Sequence, residues 1–266
     1  MAIITPQTKV RSVNHIEERD DIRDDKIEGR NTIIEALRAG VNIDKVFIAK
    51  ENTDKTLMHI ASSAREAGAV VVMVDKRKLD SMSATHSHQG VIAMVASAEY
   101  VSIDDILALA ESRGEKPLIV LCDGISDPHN LGAIIRSCEA VGAHGVIIPK
   151  RRSAGLSAIV AKTSGGAVFH MPVARVTNLS ATIKELKSRG VWVVGAAADA
   201  EKSVWEADFT DATAFAIGSE GTGISRLVGE LCDYHAKIPM DGKLSSLNAS
   251  VSTAVFLFET KRQRFK

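Results

Sequence analysis

From residue 118 onward, apolar residues come in short near-continuous bursts, separated by stretches where they recur every three or four positions. Bursts of this kind predict buried strands, and the recurrent stretches predict helices with one apolar face. Strands are expected at 118–122, 145–148, 171–176, 191–196, 213–217 and 236–238. Helices are expected from 131 to Gly142, over 157–163, 179–188 and 224–232, and through the last apolar stretch to Glu259. Strand and helix alternate, which implies parallel βαβ units with right-handed crossovers. A ligand then belongs outside the carboxyl ends of the strands.

The preceding region repeats the alternation on a smaller scale. A helix capped by Asn31 or Thr32 carries Ile33, Ile34 and Leu37 and stops at Gly40. Strands are expected at 46–49, 70–74 and 91–96, with helices over 53–68 and 76–82 and a loop at 86–90. The result is a compact α/β module of about 70 residues. Before it, residues 1–25 are densely charged and read as a mobile tail. After it, a helix at 103–112 and the breaker run Arg113-Gly114-Glu115-Lys116-Pro117 form a connection. The expected divisions are a tail at 1–25, a small module at 26–97, a linker at 98–116 and a large domain at 117–266.

Composition narrows the class. The 266 residues are 45% hydrophobic and 25% charged, as expected for a globular chain with a substantial core. The formal net charge is zero, so no global field attracts nucleic acid, and any such contact must come from a local patch. The half beyond Lys116 is the more basic, with a basic turn at Lys150-Arg151-Arg152 and a basic end at 261–266. Cys122, Cys138 and Cys232 are odd in number and widely spaced, which suggests neither a disulfide framework nor a CxxC metal site and fits a reducing cytoplasm. No apolar run reaches membrane-spanning length.

Three polar loops follow buried strands. The first runs from Asp127-Pro128-His129-Asn130 to Arg136, with Asn130 at the expected helix start and Arg136 interrupting the apolar positions Ile134, Ile135 and Cys138. An Arg there must pair or hold a phosphate with its planar fork. The second loop holds Gly218, Glu220, Gly221 and Gly223, glycines that let a backbone approach a ligand closely. This spacing is neither GxGxxG nor a Walker sequence, which weakens an oxidoreductase reading. The third begins at Ile238-Pro239-Met240 and enters the last helix through Ser245, Ser246, Leu247 and Asn248, where Ser245, Ser246 and Asn248 are candidate caps. No Ser-His-Asp set or HExxH appears; His86 and His88 lack a third ligand, so no metal is expected. In the small module, Arg30, Asn31 and Gln89 stand in turns and suit either RNA contact or turn bracing.

Taken in order, Asp127-Pro128-x-Asn130-x-Gly132-x-x-x-Arg136, Gly218-x-Glu220-Gly221-x-Gly223, and Ile238-Pro239-Met240 with Ser246-Leu247-Asn248-x-Ser250-Val251 resemble the three motifs of the SpoU (TrmH) branch of the SPOUT RNA 2′-O-methyltransferases. The resemblance spans 118–260. One departure is Ala249, where the family often has Val. The leading module, with Glu28-Gly29-Arg30-Asn31 and His88-Gln89-Gly90-Val91, is similar to the L30e-like substrate-binding domain of the ribosomal RNA guanosine methyltransferases in this branch.

The resemblance implies an α/β fold whose C-terminal SPOUT domain carries a deep trefoil knot. It implies S-adenosylmethionine as cofactor, a homodimer, and a guanosine in the P loop of 23S rRNA as target, with a tRNA or an antibiotic-resistance rRNA site as alternatives. By matching position, Ala196, Gly218, Ile238 and Leu247 would contact the cofactor mainly through their backbones. Arg136 would act at the ribose and Asn130 would position it. Glu220 would anchor its loop or a group of the second subunit, while Ser246 and Asn248 would shape the ribose site. Arg30, Asn31 and Gln89 would contact RNA. The rival from another class is a non-catalytic RNA-binding protein on the same scaffold.

Overall fold

The computed structural model describes residues 26–51, 54–95, 99–243 and 246–264. The expected tail at 1–25 and the candidate cap Ser245 lie outside the described residues. The first unit contains β1 (Lys26–Glu28), α1 (Arg30–Arg38), β2 (Ile43–Ala49), α2 (Lys55–Glu66), β3 (Val70–Val74), α3 (Lys76–Met82) and β4 (Val91–Val95). Then come α4 (Ile103–Ser112), β5 (Leu118–Asp123), α5 (Pro128–Val141), β6 (Gly145–Pro149), α6 (Ala158–Thr163) and a 3₁₀ turn at Ala167–Phe169. The chain continues through β7 (Val173–Val176), α7 (Leu179–Ser188), β8 (Trp192–Ala196), β9 (Lys202–Ser203), β10 (Thr213–Gly218), α8 (Arg226–Leu231), β11 (Tyr234–Lys237) and α9 (Ala249–Arg264).

The large sheet has the order β7-β6-β5-β10-β8-β11-β9, and each of its strand pairs is parallel. Its central strands are apolar on both sides because helices cover both faces. Leu118, Val120 and Cys122 of β5 face one core with Phe215, Ile217, Phe256 and Leu257. The alternate residues Ile119 and Leu121 face a second core with Ile106, Ile183, Leu186 and Val228. Phe209, Phe215 and Phe256 meet with ring centroids 5.0 to 6.2 Å apart and pin α9 to the sheet. The small sheet is mixed, in the order β1-β4-β2-β3, with only β2 and β3 parallel.

Several expected boundaries change for identifiable reasons. The helix expected to be capped by Asn31 or Thr32 starts earlier, at Arg30, with Gly29 at the N-cap in a conformation of φ +92°. Its first N–H donates to Gln89 Oε1 at 3.1 Å, so a side chain 59 residues away does the capping. Asn130 is not the start of α5. Asp127 caps that helix by accepting from His129 N at 2.8 Å, and Pro128 opens it. The strand expected at 171–176 begins at Val173, because the 3₁₀ turn precedes it. β1 and β9 were not expected; at three and two residues they carry no readable periodicity.

The two units are in contact. Ile27, Ile33 and Ala36 share a core cluster with Ala167, Val168 and Met171. Lys162 Nζ of α6 donates to Thr85 Oγ1 at 2.7 Å and to the Ser87 carbonyl at 2.6 Å. His170 Nε2 lies 3.3 Å from Glu35 Oε2. Between the units, α4 lies on the large sheet with Ile106 fully buried.

Candidate active site

The carboxyl ends of β8, β10 and β11 open onto a cavity of about 940 Å³. Its lining includes all four candidate cofactor residues, Ala196, Gly218, Ile238 and Leu247, together with Glu220 and Ser246. One part of the wall is small and apolar, with Ala197, Ala198, Ile217 and Ile224. The rim is charged, with Glu201, Lys202, Arg226 and Glu230. Gly218 can only be glycine in this loop, because an added Cβ would fall 1.9 Å from the Gly223 carbonyl carbon. Asp123, at the end of β5, accepts from Ser225 N at 2.6 Å and ties down the far end of the same loop.

At the mouth, the three polar loops are joined by side chains. Asn130 Nδ2 donates to Glu220 Oε1 at 2.9 Å. Asn248 Nδ2 donates to Asn130 Oδ1 at 2.9 Å and also reaches Glu220 Oε1. Asn248 Oδ1 accepts from Ser250 N at 2.9 Å and Val251 N at 3.3 Å, so the same residue caps α9. Capping and loop joining are thus compatible roles for one amide, since its oxygen serves the helix and its nitrogen serves the loops.

Arg136 lies elsewhere on α5 than its sequence neighbours suggest. Ile134, Ile135 and Cys138 are fully buried, whereas Arg136 is exposed, so it does not interrupt the buried face. Among the described residues its guanidinium makes no hydrogen bond or ion pair, and it lies over Gly165, where an added Cβ would be 3.7 Å from Nη1. The Asn130 amide is turned to Glu220 and Asn248 and makes no bond to Arg136.

The three candidate RNA residues are not alike. Arg30 is braced: Nη1 meets Asp54 Oδ2 at 2.7 Å, and Nε donates to the Gln89 carbonyl at 3.1 Å. Gln89, at φ +54°, caps α1, which leaves Asn31 as the exposed member with no side-chain bond among the described residues. His88 is committed to Asp80 Oδ1 at 2.9 Å and Gly90 N at 3.0 Å. Asp123, the 197–202 segment and His235 line or brace the cavity and were not singled out from sequence. An Asp closing an apolar strand is the one signal that pointed to any of them.

The sequence profile of the SpoU rRNA Methylase family matches residues 117–258. A second profile, described as RNA 2′-O ribose methyltransferase substrate binding, matches residues 26–101. The chain belongs to the SpoU methylase family. A Bacillus subtilis relative named as a TrmH family tRNA/rRNA methyltransferase is 45% identical over 240 residues, covering 90% of this chain and 96% of its own length. A Staphylococcus haemolyticus protein of the same family name is 44% identical over 238 residues, covering 90% and 95%. The solved SpoU methyltransferase AviRb of Streptomyces viridochromogenes, in complex with AdoMet, superposes with a TM-score of 0.77 at 27% identity, covering 91% of this chain and 90% of that one. The SpoU match thus contains all three joined loops, and α4 falls between the two matched regions. No helix among the described residues is long and apolar enough to cross a membrane.

Proposed function

We propose that this SpoU protein transfers a methyl group from S-adenosylmethionine to a ribose 2′-oxygen of RNA, and that its target is a guanosine in the P loop of 23S rRNA. The observation that carries the reading is the joining of the three loops at the mouth of one cavity by Asn130, Glu220 and Asn248. The cavity residues fit the cofactor: Ile217, Ile224, Ile238 and Leu247 offer apolar surface to an adenine, and Glu201, Glu220 and Glu230 offer carboxylates to a cationic ligand. When bound, S-adenosylmethionine supplies an electrophilic methyl group. Ala196, Gly218, Ile238 and Leu247 hold it through their backbones, and Ser246 and Asn248 shape the neighbouring ribose site.

The remaining work falls to orientation and charge. Arg136, exposed and without a partner among the described residues, suits a phosphate and the adjacent ribose hydroxyl. A guanidinium offers donors and no acceptor, so Arg136 holds and orients, and the hydroxyl proton passes late in the transfer to solvent water. Glu220 anchors its loop, and Asn130 positions Arg136 only indirectly, as part of the same helix. The small module, residues 26–97, presents Asn31 to RNA, with Arg30 and Gln89 bracing that edge. Residues 98–116 link it to the catalytic domain, 117–266.

The active form is a homodimer. Val251 and Phe258, seven residues apart on one face of α9, are 48% and 54% exposed, which suits a subunit interface. The C-terminal segment that includes α9 is the one we assign to threading the knot. The protein works in the cytoplasm, where its RNA is found. The test is a map of ribose methylation in total RNA from a strain lacking the protein. Loss of one 23S P-loop guanosine methyl supports the reading. Loss at a tRNA or another rRNA site moves the target, and an unchanged map overturns it.

A further inference from the structure

We infer that the turn Lys150-Arg151-Arg152 is a second RNA-backbone site, holding a phosphate of the substrate away from the methylated nucleotide. The inference rests on the reading that the substrate is RNA. The turn leaves the carboxyl end of β6. All strands of the large sheet are parallel, so this end lies on the same edge as the cavity. Two strand spacings, about 10 Å, separate β6 from β10 in the sheet order.

Three features distinguish this turn from an ordinary solvated charge run. Arg152 adopts φ +57°, a left-handed conformation that costs a residue with a side chain about 1 kcal/mol or more. All three side chains are exposed, and among the described residues Lys150 and Arg152 make no side-chain hydrogen bond or ion pair. Some other guanidiniums, those of Arg30, Arg189, Arg262 and Arg264, are taken up by carboxylates or carbonyls. The backbone around the turn, by contrast, is firmly held. Lys150 N donates to the Val176 carbonyl at 2.8 Å, and Ala154 N donates to the Ile125 carbonyl, in the loop before α5, at 2.8 Å. Leu156 N donates to Tyr100 Oη at 2.9 Å, at the connection between the units.

Exposed charges on a held backbone lose little freedom on binding, which favours recognition of a fixed anion. The turn is also well placed along the molecule. It is anchored to the loop that begins α5, the helix of Arg136, and it leads into α6, whose Lys162 is bonded to the small module. A strand of RNA running from the cavity toward that module would pass it. With a net charge of zero over the whole chain, a local cluster of this kind is what can attract a polyanion.

The test measures binding of the full-length protein to 23S rRNA and to bulk tRNA over a range of salt, with methyl transfer followed in parallel. Variants are Arg152→Gly, Arg152→Lys and Lys150→Ala/Arg152→Gly. Arg152→Gly removes the charge while suiting the positive φ, so any lost affinity is not a folding effect. The salt slope should fall by about 0.7–0.9 for each charge removed, with affinity down about tenfold for the double variant. Arg152→Lys should restore the slope, and S-adenosylmethionine binding should not change. Unchanged slope and affinity in the double variant overturn the inference, as does a wild type that binds neither RNA. A wild type that binds RNA with these slopes yet transfers no methyl group leaves the site standing and removes the enzymatic reading instead.

Discussion

At the scale of single residues, the site contrasts a cation, Arg136, that has no partner among the described residues with a shared anion, Glu220. Among the described residues Arg136 has no partner to lose, so its replacement should act on the substrate and not on the fold. Glu220 is the reverse case, since its Oε1 accepts from both Asn130 and Asn248. Glu220→Ala leaves two amide donors to water at an exposed position. The expected cost in stability is about 1 kcal/mol or less. Methyl transfer should fall further than that, because the loops lose their mutual register. Thermal melting and single-turnover rates on the same protein separate the two effects. A variant with lowered melting temperature but wild-type rate would make Glu220 a purely structural residue.

At the scale of elements, the Gly218 loop is the most constrained piece of the cavity. Gly218→Ala would set a Cβ within 2.1 Å of both the carbonyl carbon and the carbonyl oxygen of Gly223, so the loop must move. The expectation is a loss of S-adenosylmethionine binding of at least tenfold by calorimetry, with the far-UV spectrum unchanged. Undisturbed binding would show that this loop does not hold the cofactor. Elements of this kind were only partly legible in the sequence. The buried strands were, because an apolar run such as 118–122 has little alternative, and so was the end of α5, where Gly142 takes φ +75°. The starts of α3, α4 and α7 were legible too, but not that of α1, which Gln89 caps across space, nor that of α5, which the local pair Asp127 and Pro128 opens ahead of Asn130. The contacts among Asn130, Glu220 and Asn248 join residues 90 and 28 positions apart, which periodicity cannot bring together. Only the ordered motifs of the resemblance put them in one site. Nothing in the pattern marked the 197–202 segment, which has no repeat and lines the cavity by position alone.

At the scale of the whole molecule, the two units meet across a seam that is part apolar and part ionic. Glu28 is fully buried beside it and accepts from Ser83 Oγ, Ala84 N and Thr85 Oγ1. Burial pushes its carboxyl up, but these donors outweigh burial and leave its pKa below the ordinary value of 4.5. The unfolded chain therefore takes up this proton first. Glu28 stabilises the fold above pH 4.5, and its contribution fades as pH falls below that value through the folded pKa. Urea melts should show stability lost as pH falls below 4.5, and Glu28→Gln should be less stable at neutral pH and flatter on acidification. Equal acid sensitivity of variant and wild type would remove Glu28 from this account. The claim that unites seam, cavity and joined loops is catalysis on RNA. Its most direct test is transfer of labelled methyl from S-adenosylmethionine to unmodified 23S rRNA by the purified protein, with the product nucleotide identified. The account predicts a 2′-O-methylguanosine in the P loop, and a rate about 10²–10³-fold lower in Arg136→Ala with cofactor binding retained. Equal incorporation by wild type and Arg136→Ala, or none by either, would contradict it.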